Sequence, residues 1–316
     1  MRVALLSGGT GGAKLARGLL DVVGAENLTV IANTGDDAWI HGAHVSPDPD
    51  LVTYWLADAI DERGYGIRDD SWRVMDALQA AGRPAWFRLG DRDLAMCLIR
   101  GELLAAGERL TDAHGAVVRA MGVEARVLPM CDGAAPTTIA AHGRVLPFQE
   151  FMIVERAAGP LDGVGLLGAE PRPSDDEAAA PPDHEPTPEV LTALRQADVI
   201  VIGPSNPIVS IGPILALSGM RTTLAEASAP VIAVSPFVGG AVLKGPTELF
   251  CEFAGIEPSA VGVASLYADL IDGLVADEPV TAGIATLETA TLMDNPDARR
   301  AVASATLDFA AALAGS

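Results

Sequence analysis

The residues best suited to chemistry stand in four short stretches. The first, "SGGTGGAK", sets Gly8, Gly9, Thr10, Gly11 and Gly12 between an apolar run and an amphipathic one, with Lys14 just behind. A glycine-rich turn ahead of a helix offers unpaired backbone N–H groups at the positive end of the helix dipole, the usual seat for a phosphate. The spacing matches neither familiar phosphate motif. G-x-G-x-x-G meets Lys14 where its third glycine belongs, and G-x-x-x-x-G-K-[ST] is broken at Ala13 and Leu15. The plainer alternative is a tight turn that needs glycine for geometry alone.

The second stretch is acidic: Asp36 and Asp37 in "NTGDDAW", then Asp48 and Asp50 in "SPDPD". Carboxylates beside a phosphate repel it unless Mg²⁺ lies between, or unless one of them takes a proton from an attacking hydroxyl. Asp36 could instead bind a ribose, and solvated loop acids are the bland reading. The third, "FRLGDRDLA", carries Arg88, Gly90, Asp91, Arg92 and Asp93. It reads either as a helix cap with local ion pairs or as a fork of donors for a polar ring or phosphate, and spacing leaves both open. In the fourth, "IGPSNPIVSIGPI", Ser205 and Asn206 sit between Pro204 and Pro207, followed by Ser210 and Gly212. Such a loop fixes small polar groups in one geometry, for a nucleotide or simply for a rigid turn.

These stretches need a frame to bring them together. "RVALLS", "NLTVIANT", "EARVLPMCD", "ADVIVIGPSNP" and "PVIAVSPFVGG" are short, almost wholly apolar runs, as strands of a parallel sheet buried on both faces should be. Hydrophobic residues make up 49% of the 316 and aromatics only 4%, so aliphatic side chains must build the core, as in helix-covered parallel sheets. The predicted class is α/β, a Rossmann-like parallel sheet with helices on both faces, formed by residues 1–316 as one domain. Helices predicted at about Leu51–Asp61, in "SWRVMDALQAAG", in "DRDLAMCLIRGELLAAG" and in "LTDAHGAVVRAMGV" make residues 51–122 a helical cap or insertion. The third carries an apolar stripe of Leu94, Cys97, Leu98 and Leu103. "TTIAAHGRVLPFQEFMIVER", "GVGLLGAE" and "VGVASLYADL" read as further strands. Residues 170–189, acidic and proline-rich, read as a mobile surface loop.

The net charge of −21 repels nucleic acid and anionic membrane. Neither a signal peptide nor an apolar run of membrane-spanning length is visible, and Cys97, Cys131 and Cys251 have no metal-ligand spacing, which together point to a reduced, cytoplasmic protein. Only Lys14 and Lys244 are lysines, which draws attention to the one in the glycine loop.

Taken in order, "SGGTGGAKL", "NTGDDAWIHG", "SPDPDLVTY", "RLGDRDLA", "LPFQEF" and "IGPSNPIVSIGPIL" resemble the 2-phospho-L-lactate transferase (CofD-like) family of coenzyme F-420 synthesis across most of the chain. The resemblance implies a transferase that moves a phosphorylated three-carbon acid from its guanosine-diphosphate donor to the ribityl hydroxyl of the deazaflavin Fo, releasing GMP. The donor acid would be 2-phospholactate or phosphoenolpyruvate. The Ala- and Arg-rich, Lys-poor composition, that of a high-GC bacterium, favours phosphoenolpyruvate. By the same resemblance Asp50, Arg88, Gly90 and Asp91 would meet Fo. Gly8 to Gly12, Asn33, Ser205, Asn206, Pro207 and Ser210 would lie on the guanosine-diphosphate side. Asp36, with Asp37, would hold Mg²⁺, Lys14 would shield the diphosphate, and Asp50 would orient the hydroxyl or accept its proton. A homodimer is the family's expectation. Two rivals are an NAD-dependent oxidoreductase, which lacks the third glycine and a proton relay, and a nucleotide-sugar sensor, which would need no acceptor pocket.

Overall fold

The computed structural model describes residues 1–173, 184–243, 245–281 and 283–315. Among these, β1 (Val3–Ser7), β2 (Leu28–Ala32), β5 (Arg126–Pro129), β9 (Val199–Ile202), β10 (Val231–Val234), β13 (Gly273–Ala276) and β14 (Ala285–Glu288) form one seven-stranded sheet. Its order is β14-β13-β10-β9-β1-β2-β5, parallel throughout. β1, β9, β10 and β13 are buried at every residue, which explains their unbroken apolar runs. Two apolar layers cover the faces. Helices α1 (Gly9–Val23) and α12 (Pro296–Ala314) pack together on one, burying Leu15, Leu19, Val302 and Leu307 against Leu5, Val30 and Val201. The other buries Leu6, Ile31, Ile200, Ile202 and Leu274 under Val190, Ile214, Leu224 and Val263.

The chain runs from β1 outward through β2 to β5, then returns to place β9 on β1's other side. The crevice between the carboxyl ends of β1 and β9 is thus a topological switch point, where open α/β sheets bind ligands. The first and fourth stretches are the loops leaving these two strands.

Between β2 and β5 stand a hairpin, β3 (Ala38–Ile40) and β4 (Ala43–Val45), and four helices: α2 (Pro47–Leu56), α3 (Arg73–Ala80), α4 (Asp91–Ala105) and α5 (Leu110–Ala120). The first helix therefore starts at Pro47, not Leu51. "SPDPD" is its opening turn, because proline fits the first helical positions and acids suit the dipole there, whereas the prolines had read as loop. β3 and β4 also replace an expected loop.

"RVLPFQEFMIV" is β7 (Arg144–Pro147), paired with β6 (Thr138–Ala141), followed by helix α6 (Phe148–Ile153) rather than more strand; β8 (Leu161–Gly165) completes that small sheet. "VGVASL" is a helix, Ala260–Leu266, capped by the Ser259 side chain, and the strand comes next, at β13. On α4, Leu98 is 49% exposed while Arg100 is wholly buried, so the inward stripe is Leu94, Cys97 and Arg100. Of the loop expected at 170–189, residues 174–183 lie outside the described set. Its ends are structured: Arg172 bridges to Val164, and Pro188 already opens a helix that runs to Gln196.

Candidate active site

The two switch-point loops touch. Gly8 N donates to Ser205 Oγ at 3.2 Å, and Gly9 has φ +61°, a region that favours glycine. A Cβ on Gly11 would lie 1.9 Å from Pro204 O, and one on Gly12 would lie 2.3 Å from Ser7 Oγ. Close approach of loop to loop therefore accounts for both, and the geometric reading of the glycines holds there. Gly11→Ala should push the loops apart and cost about 1–3 kcal/mol. A chemical-denaturation midpoint equal to wild type would contradict that contact. Asn206 Oδ1 accepts from Ile208 N and Val209 N at 2.9 and 3.2 Å, so Asn206 with buried Pro207 shapes the turn. Ser210 packs against Gly8, where an added Cβ would lie 2.6 Å from its own. Thr10 and Lys14 are half-buried on α1.

A carboxylate occupies the end of α1. Asp48 Oδ1 accepts from Gly9 N at 2.6 Å, and its Oδ2 accepts from Asn33 Nδ2 at 2.9 Å. Asn33 Oδ1 in turn accepts from Gly35 N at 2.8 Å. The family resemblance points to Asp50, and nothing in the spacing of the four acids singles out Asp48. Asp36 is buried, with Oδ2 accepting from Gln149 Nε2 at 3.0 Å and Oδ1 buried without a partner. Burial, then the charges of Asp48 and Asp37, pushes its carboxyl well above the usual range. Asp48 is pushed up to about 6, mainly by burial. Asp37 points the other way. It accepts from Ser46 Oγ at 2.7 Å and faces His44 Nε2 at 3.8 Å, within the β4 end of the hairpin.

A divalent cation fits this arrangement at Asp36 and Asp48. The unpartnered Asp36 Oδ1 lies beside a second buried acid, Asp48, whose oxygens are held in place by Gly9 N and Asn33 Nδ2, so the spot is oxygen-rich and anionic. Asp37 stays a further candidate ligand: Ser46 holds its Oδ1, while its Oδ2 is buried without a hydrogen-bond partner.

Beyond Asp48 opens a cleft of about 240 Å³. Asp48 and Asp50 lie on its wall with Tyr54, Trp72, Arg88 and Asp93. Trp72 sits between the guanidinium groups of Arg63 and Arg88, each 5.3 Å from the ring centroid. Arg88 also pairs with Asp76 at 2.8 Å. Gly90 lines the cleft and has no room for a side chain, since a Cβ would lie 2.2 Å from Asp70 Oδ2. Asp91 does not line it. Its carboxylate accepts from Ser71 Oγ, Val74 N and Arg73 N at 2.5, 3.0 and 3.2 Å, capping α3, while Asp70 caps α4 through Arg92 N and Asp93 N. The cap reading of "GDRD" is the right one for Asp91. A more open cavity of about 410 Å³, beside Cys131, Asp132 and His184, contains none of the residues selected from the sequence.

Asp50 sits over a buried cation that sequence reasoning missed. Arg100 Nη1 and Nη2 donate to its two oxygens at 2.7 Å each, and Nη2 also donates to His44 O at 2.7 Å. His114 Nδ1 lies 3.4 Å from Nη1. An arginine among leucines on an amphipathic pattern gave no signal of this. With both oxygens held, Asp50 is a hydrogen-bond acceptor fixed in orientation. Asp50, Asp93 and Cys97 also approach within 4.8 Å of one another, yet the Arg100 charge between them argues against a cation there. Tyr54 donates to Asp93 at 2.7 Å, and burial with the nearby Asp50 charge pushes Asp93 up to about 7.

These shifts set a pH dependence. Asp48 and Asp93 lie above their ordinary 3.8 in the folded state, so the stability they confer is fully present below pH 3.8 and is lost as pH rises through about 6 and 7. His44 and His114, pushed down to about 4 and 3 by burial and by Arg100, act oppositely: stability rises with pH up to 6.5 and no further. Of these four groups, Asp93 is the one that still loses stability appreciably above pH 6.5. The melting temperature of metal-free protein should therefore fall from about pH 6.5 to about pH 8, and Asp93→Asn should flatten the fall. A wild-type profile that rises across that interval contradicts the assignment.

The fold and site define a doubly wound α/β protein whose glycine loop, buried acids and aromatic cleft meet at one sheet edge. Over residues 3–296 the chain matches the model of the family described as 2-phospho-L-lactate transferase CofD. The chain belongs to that family, and it is a transferase of that type. It is 39% identical to a phosphoenolpyruvate transferase of Kitasatospora aureofaciens over 298 residues, 92% of this chain and 89% of that one. It is 38% identical to a 2-phospho-L-lactate transferase of Methanosarcina barkeri over 275 residues, 87% of this chain and 84% of that one. The fold is similar to the crystal structure of a UPF0052-family protein from Bacillus halodurans, with TM-score 0.61 and 16% identity over 97% of this chain and 99% of that one. Among the described residues no helix is long and apolar enough to cross a membrane.

Proposed function

We propose that the protein transfers phosphoenolpyruvyl, or 2-phospholactyl, from its guanosine-diphosphate donor to the ribityl hydroxyl of Fo, releasing GMP and forming dehydro coenzyme F-420-0 or F-420-0. The observation that carries this reading is Asp48, which holds the end of α1 through Gly9 N and also lines the cleft. One carboxylate thus joins a phosphate-type helix terminus to a pocket of aromatic rings and guanidinium groups, suited to a planar, polar acceptor.

Donor phosphates would lie at the switch point, against the first turn of α1 and the Ser205–Ser210 loop. Asp36 and Asp48 would hold Mg²⁺, which supplies neutralisation of the paired phosphates and help for the leaving nucleotide. The planar part of Fo would occupy the cleft beside Trp72 and Arg88, with its ribityl chain directed toward Asp48. Asp50, fixed by Arg100, would accept the hydrogen bond of the ribityl hydroxyl and aim its oxygen at phosphorus. In a loose transition state the hydroxyl proton departs late, so alignment matters more than a strong base. Residues 51–122, most of α2 with α3 to α5, would act as a cap beside this acceptor within one domain. The homodimer and cytoplasmic location belong to the same reading, the latter supported by three buried free cysteines.

The test is direct: protein, Mg²⁺, Fo and freshly made guanylylated phosphoenolpyruvate or phospholactate, with the product identified by mass. Conversion of Fo with GMP release supports the reading, and the two donor acids give products differing by two hydrogens. Fo recovered unchanged with both donors overturns it.

A further inference from the structure

The stretch "LPFQEF" has no role in the scheme above, yet α6 reaches its centre. Gln149 Nε2 lies 3.0 Å from Asp36 Oδ2 across 113 positions of sequence. A carboxylate only accepts, so the amide must turn its NH₂ toward it. Two backbone bonds tie the start of α6 to the Asp36 loop: Phe148 N to Thr137 O at 3.1 Å and Thr137 N to Gly35 O at 2.5 Å. Behind the helix, Phe148 and Phe151 each lie 6.3 Å from Phe250 in a cluster that includes Val209 of the donor-side loop. In front, Ile153 lines the acceptor cleft. A short, well-anchored helix therefore presents one donor to one buried acid.

We infer that Gln149 is a positioning residue: its side-chain amide fixes the Asp36 carboxylate so that the unpartnered Oδ1 faces a bound divalent cation. This rests on the reading of Asp36 as a cation ligand. Hydrogen-bond partners of metal-ligating carboxylates set ligand orientation, and losing one typically weakens metal binding about 10–100-fold. A Gln149 that merely satisfied a buried acid would matter for stability and not for the ion.

The experiment measures Mn²⁺ binding to nucleotide-free protein by electron paramagnetic resonance, alongside melting temperature without metal, kcat and KM for Fo. Gln149→Met keeps the length and removes the donor. The expected result is Mn²⁺ affinity about tenfold weaker or more, with a lower kcat and a KM for Fo within about twofold of wild type; the metal-free melting temperature also falls, because a buried acceptor loses its donor. Wild-type Mn²⁺ affinity in Gln149→Met overturns this inference alone. Wild-type protein that binds no Mn²⁺ overturns the cation reading beneath it, and this inference with it. If Gln149→Met fails to fold, Gln149→Asn, one methylene short of Asp36, carries the same expectations.

Discussion

Asp48→Asn should lower turnover by at least about a hundredfold, because it removes one of two charges assigned to a cation whose Lewis-acid contribution is worth several kcal/mol. The same change should leave the fold intact. Asn still offers Oδ1 to Gly9 N and removes a carboxylate that burial has pushed up to about 6 beside Asp36, but its Nδ2 then faces the Nδ2 of Asn33, which loses its acceptor. These effects oppose each other in metal-free Asp48→Asn, and the discriminating readout is that the rise in melting temperature on adding Mg²⁺ shrinks. Kinetics and thermal melts with and without Mg²⁺ check this. A variant that keeps both its turnover and its Mg²⁺ response would remove Asp48 from the site.

The largest stability effect belongs to Arg100. Arg100→Met leaves Asp50 buried and uncompensated, and breaking such a pair costs about 3–5 kcal/mol. On the proposed scheme Asp50→Asn should lower turnover strongly while guanosine diphosphate still binds, since Asp50 is held by Arg100 of α4 rather than by the loops after β1 and β9. The paired change Asp50→Asn with Arg100→Met should cost less than the sum of the two single changes, because neither partner is left charged and alone. Urea unfolding of the three variants measures this coupling. Strict additivity would mean that Asp50 and Arg100 do not depend on each other, against their two 2.7 Å hydrogen bonds.

Much of the frame was legible locally. β1, β9 and β10 are buried on both faces, so their sequences had to be almost wholly apolar, and the loops after β1 and β9 could be placed at the sheet edge from the strand–loop–helix order alone. Less legible were elements whose cues conflict. The prolines of "SPDPD" mark a loop as readily as a first helical turn, and α6 follows β7 without a glycine to announce the change. In "GDRD" both readings of the sequence were available, and the structure divides them: Asp91 caps α3, while Gly90 and Asp93 line the cleft.

The sequence by itself determined the sheet class, the family and the identity of the loops that approach each other, because these follow from the order of apolar runs and from contiguous motifs. Tertiary structure alone decided which acid meets which partner. Asp48 meets Gly9 across 39 positions, Gln149 meets Asp36 across 113 and Ser205 meets Gly8 across 197. Arg100 lies beneath Asp50 only because α4 packs beside the hairpin that leads into α2. A carboxylate's charge, reach and partners depend on burial and on neighbours distant in the chain, and residue type and spacing carry neither.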